Sequence, residues 1–146
     1  LNKLFAEKKA HKTYWAIVKN RPQKEKDTLV HWLKKNPKLN KSKAYSKQIP
    51  DSKKAILHYE LFKSLDNYHA LSIQLETGRH HQIRCQLATI GCPIKGDLKY
   101  GFDRSNPDAS IHLHARALSF IHPVKNELIE VTAPLPEDSL WRAVDV

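Results

Sequence analysis

Residues 75–84 read Leu-Glu-Thr-Gly-Arg-His-His-Gln-Ile-Arg, placing two arginines, two histidines and a glutamine in one short segment. No other stretch of the chain brings two arginines and two histidines so close together. Just upstream, His69-Ala-Leu-Ser-Ile-Gln-Leu-Glu76 alternates apolar and polar side chains, the period of a half-buried strand. Thr77-Gly78 then reads as a turn. Residues 79–90 read as a helix, with Ile83, Leu87 and Ile90 on its buried side and Gly91 ending it. A strand that feeds a glycine turn and then a helix start builds an anion-binding corner. Backbone N–H groups in a helix's first turn have no partner within the helix, and Arg79 and Arg84 add positive charge beside them.

Lys12-Thr-Tyr14 supplies a second set of groups. An aromatic ring offers a base a stacking surface, and arginines hold phosphates or carboxylates. Tyr14 fits an ordinary core aromatic as well, and Arg79 and Arg84 fit surface ion pairs. The histidines invite a metal reading, which is weak. His80 and His81, adjacent on a helix, would point about 100° apart and could not easily share an ion. His112 and His114 do share one face of a strand, yet hydrogen-bonding or core histidines are the simpler reading, and no metal is expected. No Gly-x-Ser-x-Gly elbow occurs, and the chain's four glycines cannot build a phosphate loop or a dinucleotide fingerprint.

The elements that must position these groups are mostly strands. Residues 1–10 read as an amphipathic helix with Leu1, Leu4 and Phe5 on one face. Lys12-Thr-Tyr-Trp-Ala-Ile-Val18 and Asp27-Thr-Leu-Val-His-Trp-Leu33 are β-branched and aromatic, and favour strand. Residues 34–54 are basic and poorly periodic, and read as a long exposed loop with an edge-strand segment near Ala44-Tyr45. Residues 55–65 and 69–76 form two strands across an Asp66-Asn67 hairpin turn. After a turn-rich loop at 96–101, residues 110–120 and 127–132 read as a closing strand pair, with Pro134 and Pro136 beyond it. Many strands, few helices and hairpin links imply an α+β fold with a mixed, largely antiparallel sheet and flanking helices.

A chain of 146 residues is one domain's worth, and 40% hydrophobic with 27% charged residues is a globular composition. No apolar run reaches the roughly 18 residues of a membrane span, and no signal segment opens the chain. Cys85 and Cys92 read as reduced thiols, which fits a cytoplasmic protein. Residues 1–63 carry seventeen Lys and Arg against five acids, whereas residues 64–146 carry eight against ten. So lopsided a charge points to a polyanionic partner, most simply nucleic acid.

Thr77-Gly-Arg-His-His-Gln-Ile-Arg84, then Ile90-Gly-Cys-Pro-Ile-Lys-Gly-Asp97 and Tyr100-Gly101, closely resembles the signature of the RluA-type RNA pseudouridine synthases. The Lys12-x-Tyr14-x-Ala16-x-Val18 segment is similar to that family's Lys-x-Tyr strand. Leu113-His-Ala115, Leu118-Ser-Phe120 and His122-Pro123 are similar to its closing stretch. The resemblance implies a pseudouridine synthase-like fold and an isomerase that detaches uracil from ribose at N1, rotates it and rejoins it through C5, without cofactor or metal. Its RNA would be ribosomal or transfer RNA. Tyr14 would stack on the target base and Arg84 would pair with the catalytic aspartate. Lys12, Arg79, His80, His81 and Gln82 would shape the corner and hold it against RNA.

In that family the aspartate lies in an Arg-Leu-Asp-x-x-Thr-Ser-Gly motif upstream of the Lys-x-Tyr segment. No Arg-Leu-Asp occurs in this chain, which starts at Leu1, contains no methionine and holds thirteen residues before Tyr14. Residues 1–146 therefore read as the C-terminal portion of a catalytic domain whose N-terminal part is missing, and are expected to be inactive alone. Glu76 and Asp97 match structural positions of the family. Arg84, without its nucleophile, is expected to pair with a stray anion, a water or a neighbouring acid, because a buried lone guanidinium is costly. The alternative is a non-catalytic RNA-binding module of the same fold.

Overall fold

The computed structural model describes residues 10–106, 110–121, 128–135 and 139–144. Seven strands form one antiparallel sheet: β1 (Ala10–Val18), β2 (Lys26–Asn36), β3 (Lys41–Tyr45), β4 (Lys53–Ser64), β5 (His69–Leu75), β6 (Leu113–Ile121) and β7 (Leu128–Thr132), in the spatial order β3-β2-β4-β5-β1-β6-β7. Among the described residues two helices flank it, α1 (Gln82–Thr89) and α2 (Ser139–Val144), with a 3-10 turn at Leu98–Tyr100. The expected α+β class with a largely antiparallel sheet holds.

Period-two alternation splits the core between the two faces of the sheet. Ala16, Val18, Leu57, Tyr59, Leu71 and Ile73 face α1 and bury its Ile83 and Leu87. Ile17 and Ala70 point the other way, onto Trp141 and Val144 of α2. Each fully buried Leu or Ile in this sandwich stabilises it by about 1.5–3 kcal/mol. β1 is apolar on both sides because it is covered on both sides, which is why its sequence shows little alternation.

Several expectations are refined. The β4–β5 hairpin closes at Asp66-Asn67, with Leu65 N–H donating to Tyr68 O at 2.7 Å. Helix α1 begins at Gln82 rather than 79, because His81 takes a left-handed conformation (φ 52°) and ends the turn before it. Its C-terminus is as read: Gly91 has φ 85°, and Gly91 and Cys92 return hydrogen bonds to Ala88 and Leu87. The long exposed loop at 34–54 is a correction. β2 runs on to Asn36, a tight turn follows, and β3 pairs back along it from Asn36↔Lys41 to Trp32↔Tyr45. Asn36 Oδ1 accepts from the N–H groups of Lys38 and Leu39, and Asn40 supplies a left-handed residue (φ 47°). The edge segment read at Ala44-Tyr45 belongs to this β3. The helix read at residues 1–10 and the His122-Pro123 pair fall largely or wholly outside the described residues.

Among the described residues no helix is long and apolar enough to cross a membrane, and no cluster of metal-ligating side chains forms. Cys85 and Cys92 are free and buried, and burial pushes the Cys85 thiol up to about 11.

Candidate active-site corner

The turn between β5 and α1 is locked before any ligand arrives. Gln82, 3% exposed, accepts from Thr77 Oγ1 at 2.8 Å and from the Arg79 N–H at 2.9 Å, and its amide donates to Ile56 O at 3.1 Å. Thr77 Oγ1 also accepts from the Ile56 N–H at 2.9 Å. These bonds tie the turn to β4, so Gln82 shapes the corner from within. Arg79 Nε donates to Lys54 O at 2.9 Å.

Arg84 points from the first turn of α1 toward the loop that follows the helix. Its Nε and one terminal nitrogen reach the two carboxylate oxygens of Asp97, both at 2.8 Å, a bidentate pair. Asp97 is 1% exposed, and the Arg84 side chain keeps 21% of its surface. The loop returns to the sheet through a Val18↔Ile94 bridge and a Lys95 N–H to Ile17 O bond of 2.8 Å. The Asp97 N–H donates to Ile94 O, and its carbonyl accepts from the Phe102 N–H. Arg84 has thus found the neighbouring acid expected of it. The bond to Asp97 holds the guanidinium pKa above its ordinary value.

The third guanidinium nitrogen, Nη1, lies 3.3 Å from His81 Nε2, and His81 Nδ1 lies 2.8 Å from the Tyr100 hydroxyl. Arginine only donates, so Nε2 must carry a lone pair and Nδ1 the proton. The Tyr100 oxygen accepts from His81 and from the Ser42 N–H, the latter at 2.9 Å. His81 is held neutral, its pKa lowered to about 4, first by burial and then by the positive charge of Arg84. Burial also lowers the His80 pKa, and Lys35, Arg84 and Lys99 lower it further.

His80 and His81 do not diverge as they would on a helix. Both precede α1, and their rings stack at 3.8 Å. His80 reaches Ser42 Oγ at 2.9 Å and Asn40 Oδ1 at 3.1 Å, and Lys99 Nζ donates to Asn40 O at 3.1 Å. The β2–β3 hairpin is therefore fastened to the corner. Asn40, Ser42 and the hub role of Tyr100 escaped sequence reading, since Ser42 meets its partners 38 and 58 residues away.

Tyr14 sits on the α1 side of the sheet, half-buried against the same core as Ile83 and Leu87. It lies where β1 shifts register against β6, pairing with Ala115 while Thr13 pairs with Ala117. Such a bulge re-aims a side chain and is common beside functional sites. Lys12 Nζ stands 5.1 Å from the Tyr14 ring centroid. Tyr14 and the Arg84 corner thus share one face of the sheet. His112 and His114 lie on the other face, 5.5 and 6.1 Å from the Trp141 ring.

Comparison with known proteins gives one answer. The family model described as RNA pseudouridylate synthase matches residues 1–89. An uncharacterized RNA pseudouridine synthase of Chloroflexus aurantiacus is 39% identical over 132 residues, 90% of this chain and 40% of that protein. Ribosomal large subunit pseudouridine synthase D of Haemophilus ducreyi is 41% identical over 102 residues, 61% of this chain and 31% of that protein. Human RNA Pseudouridylate Synthase Domain Containing 1 superposes with a TM-score of 0.74 at 25% identity, over 92% of this chain and 58% of that one. This chain spans less than half the length of both bacterial relatives.

Proposed function

The chain belongs to the RNA pseudouridylate synthase family, and from that premise we propose that residues 1–146 are the C-terminal portion of a catalytic domain that isomerises uridine in ribosomal or transfer RNA. The observation that carries this reading is the state of Arg84. Asp97 fixes two of its three nitrogens, and Nη1 remains beside a neutral His81 on a partly open side chain. A guanidinium held in that way is preorganised to meet a second carboxylate, and the nucleophilic aspartate is that carboxylate. The aspartate comes from an Arg-Leu-Asp segment, which this chain does not contain.

The target uridine must leave its helix to be reached. Tyr14 stacks on the extruded uracil and returns part of the lost stacking, about 1–3 kcal/mol per base. The aspartate assists cleavage of the N1–C1′ bond, the base turns, and C5 bonds to C1′; C5 then gives up its hydrogen as a proton and N1 takes a proton from water, with no cofactor. Arg84 keeps the aspartate ionised and oriented. Lys12, Arg79 and His80 meet the RNA around the corner, while His81 and Gln82 hold its shape. The same reading puts the protein in the cytoplasm with its RNA.

Tritium release from RNA carrying 5-tritiated uridine tests it. Residues 1–146 alone should release none, and turnover by them would refute the assignment of the nucleophile. Joined to an N-terminal segment that carries the Arg-Leu-Asp motif, the chain should turn over, and Arg84→Met should abolish that. A joined protein that folds and stays silent counts against the catalytic reading.

A further inference from the structure

Among the described residues, the face of the sheet away from α1 is covered by α2 at its centre, over Ile17 and Ala70. Toward the β3 edge the same face has a different character. Trp32 pairs with Tyr45, Lys34 with Lys43, and Trp32 on its other side with Lys54. Directly paired residues share a face. These five side chains are therefore neighbours, opposite in direction to the buried Leu33, Ser42 and Ala55.

Lys34, Lys43 and Lys54 are exposed, and both rings are partly so. Lys43 Nζ stands 5.3 Å from the Tyr45 centroid and Lys54 Nζ 6.0 Å from that of Trp32. Val30, the next outward residue of β2, is 41% exposed. A groove of about 690 Å³ wraps the edge of the hairpin, reaching Lys34, Lys43 and Tyr45 on this face and Lys35 and Ser42 on the other. Residues 28–50 hold six lysines and no acid.

We propose that the outward face of β3, β2 and β4 is a second RNA surface, where unpaired bases stack on Trp32 and Tyr45 while Lys34, Lys43 and Lys54 take the flanking phosphates. The proposal rests on the reading above only for RNA being the polymer bound. Two rings side by side within a field of lysines suit single-stranded RNA, because every base has a face to stack and every nucleotide a charge to neutralise. An ammonium above a ring holds the place a base would take. When the base stacks, that ammonium has a phosphate to move to. The surface lies across the sheet from Arg84 and Tyr14, so it grips RNA beyond the target nucleotide and contributes to which RNA is chosen.

Fluorescence anisotropy of a labelled twelve-nucleotide single-stranded RNA, titrated with the 146-residue chain, tests this surface. Trp32→Ala and Tyr45→Ala should each weaken binding at least tenfold, and Tyr45→Phe should stay within twofold of the unaltered chain. Binding of a duplex of the same length should change less than twofold, because paired bases cannot stack on the rings. Ultraviolet crosslinking of the unaltered chain should label the peptides carrying Trp32 or Tyr45, a readout independent of how the variants fold. The proposal is overturned if the unaltered chain does not bind, if the alanine variants bind like it, or if strand and duplex lose affinity equally. Crosslinks confined to other peptides, or competition by polyglutamate as effective as by RNA, overturn it too. Tritium release plays no part in these measurements: failure of the catalytic reading leaves the losses in place, and failure of this surface leaves turnover by the joined protein intact.

Discussion

Asp97→Asn tests how the corner is held. Asp97 is 1% exposed and accepts two charge-assisted bonds of 2.8 Å from Arg84. Asparagine keeps the volume and one acceptor oxygen, but turns an N–H toward a guanidinium that only donates. Removing one partner of a buried pair costs about 3–5 kcal/mol. The Arg84 side chain retains 21% of its surface and can recover some hydration, which puts the expected loss at the low end, about 3 kcal/mol. For a chain of this size that is a fall in Tm of about 6–12 °C. Arg84→Leu should cost more, about 4–5 kcal/mol, because the stranded group is then a carboxylate with almost no access to water. The double variant strands neither charge, so its loss should fall short of the sum by about 2 kcal/mol or more. Urea unfolding followed by circular dichroism measures all four corners of the cycle. Additivity within about 0.5 kcal/mol, or a loss below about 1 kcal/mol for Asp97→Asn, would refute the claim that the pair anchors the corner.

Two further outcomes are expected. His81 binds its proton more weakly folded, at about 4 against an ordinary 6.5, so the unfolded chain holds more protons between those values and stability falls as pH drops through them. Allowing for the partial exposure of the ring, the loss is about 1–2 kcal/mol. His81→Gln should flatten the stability–pH curve between pH 6.5 and 4 relative to the unaltered chain, the contributions of His31, His69 and His80 remaining in both; parallel curves would show that His81 is not held neutral. Gly96→Ala should destabilise by about 2–4 kcal/mol, through a strained left-handed residue and crowding. Gly96 has φ +87°, and a Cβ there would come within 2.7 Å of Asn106 Nδ2 and 2.8 Å of Ser110 O. Gly78→Ala, whose Cβ would meet nothing within 4 Å, is the control, and equal urea midpoints for the two variants would contradict this account.

What sequence could reveal was local. The strands β4 and β5, the Asp66-Asn67 turn, the apolar side of α1 and its stop at Gly91 all depend on residues within a few positions of one another, and all four are found. The start of α1 depended on one dihedral, the φ of 52° at His81, which no side-chain pattern announces. The network behind Arg84 was out of reach for a different reason. Tyr100 is where His81 and Ser42 converge, and only the folded sheet brings residues 42, 81 and 100 together.

The far half of the β2–β3 hairpin, residues 34–45, was hidden by its place at the sheet edge. An edge strand is kept from pairing with other chains by lysines on its exposed side. Lys41-Ser-Lys-Ala-Tyr45 therefore alternates, but its inward members are the small Ser42 and Ala44, so the alternation reads as a basic loop. Those small residues are what the corner requires. Ser42 comes close enough to bond His80 and Tyr100, and Ala44 packs beside Leu33 and Cys85. A larger, more strand-like residue at 42 would have made β3 legible and pushed the hairpin off the corner. The lysines and aromatics on the outer side are free of that packing constraint, and edge protection alone would be met by lysines without Trp32 and Tyr45. That pairing of two rings with three lysines is the part of the edge that protection leaves unexplained, and RNA stacking accounts for it.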